Sequence, residues 1–182
     1  YHTLLVNGFF ERETDTVGGW TKTHSQTATI ERSGSTADVS RHAWTRGLKL
    51  GGGADGVEQQ VTGLKPNTEY ELRGFIKAGT SSQKIRLGVR GYGDEELYEE
   101  TSSTSWSKKK IRFTTGPGDT EATVFLYKST SGGFAYADDV TLVEVDPEAP
   151  EELVFDDEPE ETEPGTRIVN DGEKGTGLFN SE

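Results

Sequence analysis

The sequence predicts an all-β domain, a sandwich of short strands, followed by an acidic linker. Three observations predict it. Apolar and polar residues alternate with a period of two through most of residues 46–145, and no helical stripe of useful length is present. Glycine- and proline-containing segments interrupt this region at regular spacing. The chain contains 23 Gly and is only 30% hydrophobic, which is typical of a thin sandwich rather than a helical bundle.

Eight strands are predicted after residue 46. They are Gly47–Leu50, Val57–Thr62, Thr68–Ala78, Lys84–Tyr92, Leu97–Thr101, Lys108–Thr115, Ala122–Lys128 and Ala135–Val145. Their ends follow from turn-forming segments such as Gly51-Gly52-Gly53 and Gly116-Pro117-Gly118-Asp119. At least one more strand is predicted in the first 45 residues, around Leu4–Val6, followed by a loop-rich segment. Short strands at this spacing indicate a sandwich.

The charge is unevenly distributed along the chain. Residues 1–145 carry 17 Lys and Arg against 19 Asp and Glu, whereas residues 146–182 carry 2 against 13. We therefore interpret residues 1–145 as the folded domain and residues 146–165, which contain four prolines, as an acidic Pro-rich linker. Residues 166–182 fit either a disordered tail or the start of a following module.

Composition argues against several classes of function. The chain has no Cys, so it can form neither disulfides nor thiolate metal sites. A basic nucleic-acid footprint is missing, and no apolar run is long enough for membrane insertion. The three His residues lack metal-binding spacing, and no Ser lies in a nucleophile motif. The paired acids Glu95-Glu96 and Glu99-Glu100 fit a solvated edge strand better than a glycosidase pair, so no enzyme activity is predicted.

Asp138 and Asp139 lie side by side within the last predicted strand. Because adjacent strand residues point to opposite faces, the two carboxylates cannot both face solvent from a half-buried sheet. A carboxylate that faces a core needs compensation, which a cation provides. A second acidic residue, Glu11, lies near the other end of the domain. A Ca²⁺ ion that joins the two ends would explain both signals, and a strand that simply ends in solvent explains the Asp pair equally well.

Five segments resemble the carbohydrate-binding modules of families 4, 9, 16 and 22. In order, they are Asn7-Gly8-Phe9-Phe10-Glu11, Trp20, Gly47-Leu48-Lys49-Leu50, VEQQVTGLKPNTEYEL (57–72) and AYADDVTL (135–142). The resemblance covers essentially all of residues 1–145. It implies a non-catalytic jelly roll, secreted or at the cell surface, that binds polysaccharide. Such domains usually share a polypeptide with catalytic and other modules.

The resemblance also implies which strands share a sheet. One sheet takes residues 57–62, 84–92, 97–101 and 122–128, and the other takes 47–50, 68–78, 108–115 and 135–145. In the relatives the first sheet carries the concave glycan groove. Alternation turns one set of side chains toward the core: Ile85, Leu87, Val89, Val124 and Leu126. It turns a second set toward the groove: Glu58, Gln60, Arg86, Gly88, Arg90, Tyr92, Thr123, Phe125 and Tyr127, with Tyr98 at the rim.

These groove side chains suit sugar binding. Aromatic faces stack on the C–H side of a pyranose, while amides and guanidinium groups form paired hydrogen bonds to its oxygens. Arg86 and Arg90 on one face favour an acidic polysaccharide such as a uronate polymer, although outward Arg is common on any sheet. Phe125 beside Tyr127 is expected to form an exposed apolar patch. Trp20 is predicted to be a core residue or a wall of the groove.

The resemblance further implies a structural Ca²⁺ where the first and last strands meet. Glu11 and Asp139 match the family's carboxylate ligands, with backbone carbonyls near Phe9 and Arg46 completing the shell. Asp138 replaces Asp139 in this set if the strand register is shifted by one residue. We therefore predict a polysaccharide-binding module that holds an enzyme near its substrate. The alternatives are a structural or adhesive sandwich of a cell-surface protein and, less favoured, a lyase or hydrolase domain of jelly-roll type.

Overall fold

A computed structural model describes residues 3–10, 17–32 and 46–147 of the chain. The chain divides into two units, Tyr1–Val145 and Asp146–Glu182. The strands described below all belong to the first unit. The predicted linker, apart from its first two residues, and the predicted tail or following module lie outside the described residues.

The described part of the first unit contains ten strands. They are β1 (Thr21–His24), β2 (Thr29–Arg32), β3 (Arg46–Leu50), β4 (Asp55–Thr62), β5 (Glu69–Ala78), β6 (Ile85–Arg90), β7 (Leu97–Thr101), β8 (Ser107–Thr114), β9 (Glu121–Lys128) and β10 (Ala135–Glu144). Two five-stranded antiparallel sheets result, with the orders β1-β4-β9-β6-β7 and β2-β3-β10-β5-β8. Within these ranges no helix is long and apolar enough to cross a membrane. The predicted two-sheet jelly-roll sandwich is confirmed.

The strand predictions succeed after residue 46 and fail before it. All eight predicted strands are present in their predicted sheets, with ends displaced by at most two residues. The predicted strand at Leu4–Val6 is wrong: the Leu4 amide donates to the Leu142 carbonyl at 2.8 Å, but the backbone there is a series of bends. Strands β1 (TKTH) and β2 (TIER) were not predicted. Each has four residues and at most one apolar side chain, so alternation could not reveal it.

The core lies between the two sheets. All five side chains predicted to point inward from β6 and β9 have no solvent exposure. The second sheet contributes equally buried residues to the same cluster: Leu48, Leu50, Leu72, Ile76 and Leu142. Each such side chain stabilises the fold by about 1.5–3 kcal/mol relative to its exposed state. This apolar layer holds β6 and β9 in place and so defines their opposite face.

A buried carboxylate fixes the end of β1. Asp55 pairs with His24 in the β1–β4 ladder and is fully buried. Its side chain accepts hydrogen bonds from the Thr27 hydroxyl and the Gly51 amide, both at 2.7 Å, and from the Gly56 amide at 3.0 Å. Because a buried carboxylate with several donors is well compensated, Asp55 anchors the turn after β1. This turn places His24 beside the strands of the first sheet.

Candidate functional site

The first sheet carries a groove of about 390 Å³ on the face opposite the core. Its lining comes from β1, β4, β6, β9 and the segment before β7: Thr23, His24, Val57, Glu58, Arg86, Arg90, Glu96, Phe125, Leu126 and Tyr127. Five of these were predicted groove residues: Glu58, Arg86, Arg90, Phe125 and Tyr127. The structure therefore brings together the central members of the predicted set, whose binding role stays a prediction.

Two rows of paired residues cross this face from β4 through β9 and β6 to β7. One row contains Glu58, Phe125, Gly88 and Tyr98. The other contains Gly56, Tyr127, Arg86 and Glu100. Residues paired across antiparallel strands share a face, so each row places one aromatic ring of β9 beside one glycine.

Gly88 determines how the ring of Phe125 lies. A Cβ atom at residue 88 would be only 2.3 Å from Cζ of Phe125, so the ring occupies the space that a side chain there would fill. The guanidinium carbon of Arg90 lies 5.3 Å from the centre of the same ring. Phe125 is consequently 6% exposed, and the expectation of an exposed apolar patch is wrong. The ring forms part of the groove floor instead.

Both groove arginines are paired with carboxylates. Arg90 donates from Nη2 to Glu58 on β4. Arg86 donates from Nε to Oε2 of Glu100 on β7 at 2.9 Å. This hydrogen bond raises the pKa of the Arg86 guanidinium above its usual value, because the carboxylate stabilises the charged form. Both guanidinium groups are thereby held in place, and their charges are locally compensated.

Aromatic rings border the same face. The ring of Tyr127 lies 4.5 Å from that of His24, with a tilt of 38°. His24 is the last residue of β1, and its Nδ1 is 2.8 Å from the hydroxyl of Thr23, a contact that orients the imidazole ring. At the other side, Tyr98 is 43% exposed and lies 4.2 Å below the guanidinium carbon of Arg86. Tyr98 thus lies beside Arg86 at one border of this face, and its predicted binding role stays a prediction. The half-buried Tyr127 and the exposed His24 form an aromatic surface at the other border.

Sequence reasoning missed four polar side chains at this site: Thr23, His24 and Glu96 of the lining, and Glu100, the ion-pair partner of Arg86. The first two lie on the unpredicted strand β1, where no apolar alternation exists to detect. The two acids were interpreted as members of a solvated edge strand, and β7 is indeed an edge of the first sheet. A search for carboxylates opposite Arg86 in the predicted β6–β7 hairpin could have found Glu100.

Tyr92 does not face the groove, contrary to the prediction. Strand β6 ends at Arg90, and Gly91 adopts a φ of 73°, so alternation does not continue to residue 92. The Tyr92 ring packs 4.9 Å from that of Phe113, and its hydroxyl donates to the Glu95 carbonyl at 2.5 Å. At 3% exposure, Tyr92 is a core residue.

Trp20 also belongs to the core rather than to a sugar-binding surface. Its ring lies 5.5 Å from that of Phe10, and its indole N–H donates to the Asn7 carbonyl at 3.2 Å. It is 5% exposed. Gln60, in contrast, is exposed, donates to Glu121 and is not part of the groove lining.

The start of the domain meets β10 at an irregular point of that strand. The Val140 amide donates to the Gly8 carbonyl at 2.9 Å, and Gly8 has no room for a Cβ against the Val140 carbonyl. The β5–β10 register shifts between Asp138 and Thr141, and Asp139 has a φ of 53°. The first and last segments of the domain therefore adjoin, as the calcium prediction requires.

The predicted calcium ligands are only partly described. Both carboxylate oxygens of Asp139 are shielded from solvent, and Phe9 is half-buried next to Gly8. Arg46 begins β3, whereas Glu11 lies outside the described residues. Within the described ranges no three His, Cys, Asp or Glu side chains cluster as metal ligands. A buried carboxylate next to a loop with backbone carbonyls suits a hard cation, so the described residues fit part of a Ca²⁺ shell.

Comparison with known proteins identifies relatives over the same region. The family described as carbohydrate binding domain matches residues 2–132. The keratan-sulfate endo-1,4-β-galactosidase of Sphingobacterium multivorum is 34% identical over 139 residues, which are 76% of this chain and 31% of that protein. The chain thus spans about a third of the length of this curated relative.

Solved structures share the fold. TmCBM61 in complex with β-1,4-galactotriose superposes with a TM-score of 0.63 at 18% identity, covering 80% of this chain and all of that module. A family 16 carbohydrate-binding module superposes with a TM-score of 0.56 at 26% identity, covering 78% of this chain and 99% of that module. The CBM22-1 xylan-binding domain of Paenibacillus barcinonensis Xyn10C superposes with a TM-score of 0.55 at 17% identity, covering 76% of this chain and 92% of that domain.

Proposed function

The chain belongs to the carbohydrate binding domain family, and on that premise we propose that its jelly roll binds a polysaccharide in the groove of the first sheet. The observation that carries this proposal is the aromatic surface of Tyr127 and His24, which adjoins guanidinium groups already held in place by Glu58 and Glu100. A ring at this position can stack on the C–H face of a pyranose. Fixed guanidinium and carboxylate groups can meet its hydroxyls without a large loss of side-chain entropy.

We further propose that the polysaccharide contains β-1,4-linked galactosyl units. Two comparisons support this substrate class: the relative named as a keratan-sulfate endo-1,4-β-galactosidase and the CBM61 module bound to β-1,4-galactotriose. The module contributes retention rather than bond cleavage in this proposal, because the described groove offers no pair of carboxylates unengaged by arginine for acid and base roles. The earlier preference for a uronate polymer stays a prediction.

Membership of a larger secreted carbohydrate-active protein is the second part of the proposal. It is supported by the 31% share of the galactosidase relative that this chain matches. A binding module raises the local concentration of a linked enzyme on its polymer, so a modest affinity is sufficient. The partners are then the polysaccharide and the catalytic and other modules of the same polypeptide.

The proposal is tested with affinity gels that contain β-1,4-galactan, xylan, β-glucan or mannan. Retardation of the wild-type chain is expected with galactan. Tyr127→Ala should weaken that binding by about tenfold or more, equivalent to about 1.4 kcal/mol, because the sugar loses its stacking surface. The matched control is Tyr98→Ala at the exposed rim, for which a smaller loss is expected. A folded chain that no glycan retards would favour the structural or adhesive sandwich instead.

We also propose a structural Ca²⁺ between the start of the domain and β10. Asp139 and Glu11 would provide carboxylate oxygens, with backbone carbonyls near Phe9 and Arg46, and the ion would stabilise the junction of the two ends. Calcium at about 100 times its Kd would raise the free energy of unfolding by about 2.7 kcal/mol. Chelation should therefore lower the melting temperature of the wild type.

Calorimetric titration of the chelated chain distinguishes the ligands. Asp139→Asn should abolish calcium binding, whereas the control Asp94→Asn, at an exposed loop residue, should retain it. Loss of binding in Asp138→Asn alone would assign the ligand to Asp138. Absence of any calcium effect on melting in the wild type would remove this proposal.

A further inference from the structure

We infer that the groove selects uncharged segments of its polysaccharide, and that Glu58 and Glu100 impose this selection. The inference rests on the proposed function and deepens it, since it concerns the charge of the ligand at the same site. It opposes the sequence-based expectation, in which Arg86 and Arg90 would attract successive anionic groups. The structure changes that expectation because each arginine has a carboxylate partner on another strand of the sheet. Glu100 lies on β7, next to the strand of Arg86, and Glu58 lies on β4, which β9 separates from the strand of Arg90.

The balance of charge in the groove disfavours an anionic ligand. The described groove and the ion-pair partners of its arginines contain three carboxylates, those of Glu58, Glu96 and Glu100, against the two guanidinium groups of Arg86 and Arg90. Glu96 also lies close enough to Arg86 to stabilise its charged form. A sulfate or carboxylate on the ligand would have to lie beside a carboxylate of the protein, and like charges brought together in an interface are strongly unfavourable.

The hydrogen-bonding capacity that remains on the ion pairs suits hydroxyl groups. Arg86 uses Nε for Glu100, and Arg90 uses one terminal nitrogen for Glu58, so each guanidinium retains further N–H groups. The carboxylates retain lone pairs for incoming donors. A sugar hydroxyl both donates and accepts, so it satisfies the two partners of an ion pair at once. A sulfate ester or a uronate carboxylate only accepts and leaves the carboxylate side unsatisfied.

Each guanidinium group also lies over an aromatic ring. Arg86 lies 4.2 Å from the centre of Tyr98, and Arg90 lies 5.3 Å from that of Phe125. A guanidinium that stacks on one face and is bonded to a carboxylate at its edge is constrained in direction. Reorientation toward an anionic group would break both contacts. The pairs therefore act as positioned donors rather than as mobile cations.

The experiment compares matched neutral and anionic polymers. Binding of the full chain to β-1,4-galactan and xylan is measured by affinity electrophoresis at low salt, with each polymer used native and after chemical sulfation. The wild type should bind native galactan at least about tenfold more tightly than its sulfated form. The double variant Glu58→Gln/Glu100→Gln should bind sulfated galactan about tenfold more tightly than the wild type does, and added salt should remove this gain.

Glu99→Gln is the matched control, because residue 99 lies on the same strand as Glu100 and is exposed, but pairs in the ladder with the core residue Leu87. It removes one of the two negative charges that the double variant removes, and it should leave the selectivity unchanged. Circular dichroism and thermal melting establish that each variant is folded; both glutamates are about one-third exposed, so folding is expected.

The outcomes separate the two proposals. Equal or tighter binding of sulfated galactan by the wild type would overturn this inference while leaving polysaccharide binding intact. An equal gain in Glu99→Gln would also overturn it, since bulk charge would then explain the effect. If neither galactan nor xylan, native or sulfated, retards the folded wild type, both the galactan proposal and the inference fail.

Discussion

The two faces of the first sheet are held in place by different forces, although the same strands form both. On the core face of β6 and β9, five apolar side chains have no solvent exposure. On the groove face of the same strands, Arg86 and Arg90 are held by ion pairs, and Phe125 lies over Gly88. Apolar burial on one face determines stability, and fixed polar and aromatic groups on the other determine what can bind. Substitutions on the two faces should therefore have separable effects.

Leu87→Ala should have the largest effect, on stability. Leu87 is fully buried between the sheets, and its truncation should lower the free energy of unfolding by about 2–5 kcal/mol because it leaves a cavity. Urea unfolding measures the loss. At a temperature where the variant remains folded, its glycan affinity should equal that of the wild type. A large loss of affinity in the folded variant would show that the two faces are not separable.

Gly88→Ala should affect both faces. The new Cβ would lie 2.3 Å from Phe125 and 2.7 Å from the Leu97 carbonyl, so the ring or β7 must move. We expect a destabilisation of about 1–3 kcal/mol from overpacking, together with weaker glycan binding. Gly118→Ala is the control, since no atom lies within 4 Å of its Cβ position and its φ is not in the left-handed region. Unchanged binding in Gly88→Ala would show that Phe125 does not shape the groove.

Tyr92→Phe should have the smallest effect: a small loss of stability at neutral pH and a weaker dependence of stability on pH above about pH 10. Burial, with help from Asp94 and Glu95, raises the pKa of the Tyr92 phenol in the folded protein above its ordinary value of 10.0. The folded state thus holds this proton more tightly than the unfolded chain. The contribution to stability is complete below about pH 10 and declines as the pH rises above it.

Denaturant unfolding between pH 8 and 11 tests this sign. The decline in stability above pH 10 should be shallower in Tyr92→Phe than in the wild type, and glycan binding at neutral pH should be unchanged. Loss of the hydrogen bond to Glu95 should cost about 1 kcal/mol at neutral pH. Reduced glycan binding in the folded variant would instead indicate that Tyr92 contributes to the groove.

Most of the fold was predictable because alternation survives in regular strands. The eight strands after residue 46, their division between sheets and the inward set on β6 and β9 were all predicted from sequence or resemblance. Prediction failed where the alternation of apolar and polar residues is absent or is interrupted. Strand β1 has no apolar residue to reveal it, and the backbone at Gly91 turns Tyr92 to the core.

The sequence by itself determined which residues face the groove on each regular strand, since a side-chain period of two follows from backbone geometry. It also determined the acidic character of residues 146–182. Only the tertiary structure decided how those groove side chains are used. Glu58 is 32 residues from Arg90 in the chain, and Phe125 is 37 residues from Gly88. The first pair nevertheless meets across β9, and the second meets across neighbouring strands. Ion pairing and ring orientation depend on such distant partners, which no local pattern encodes.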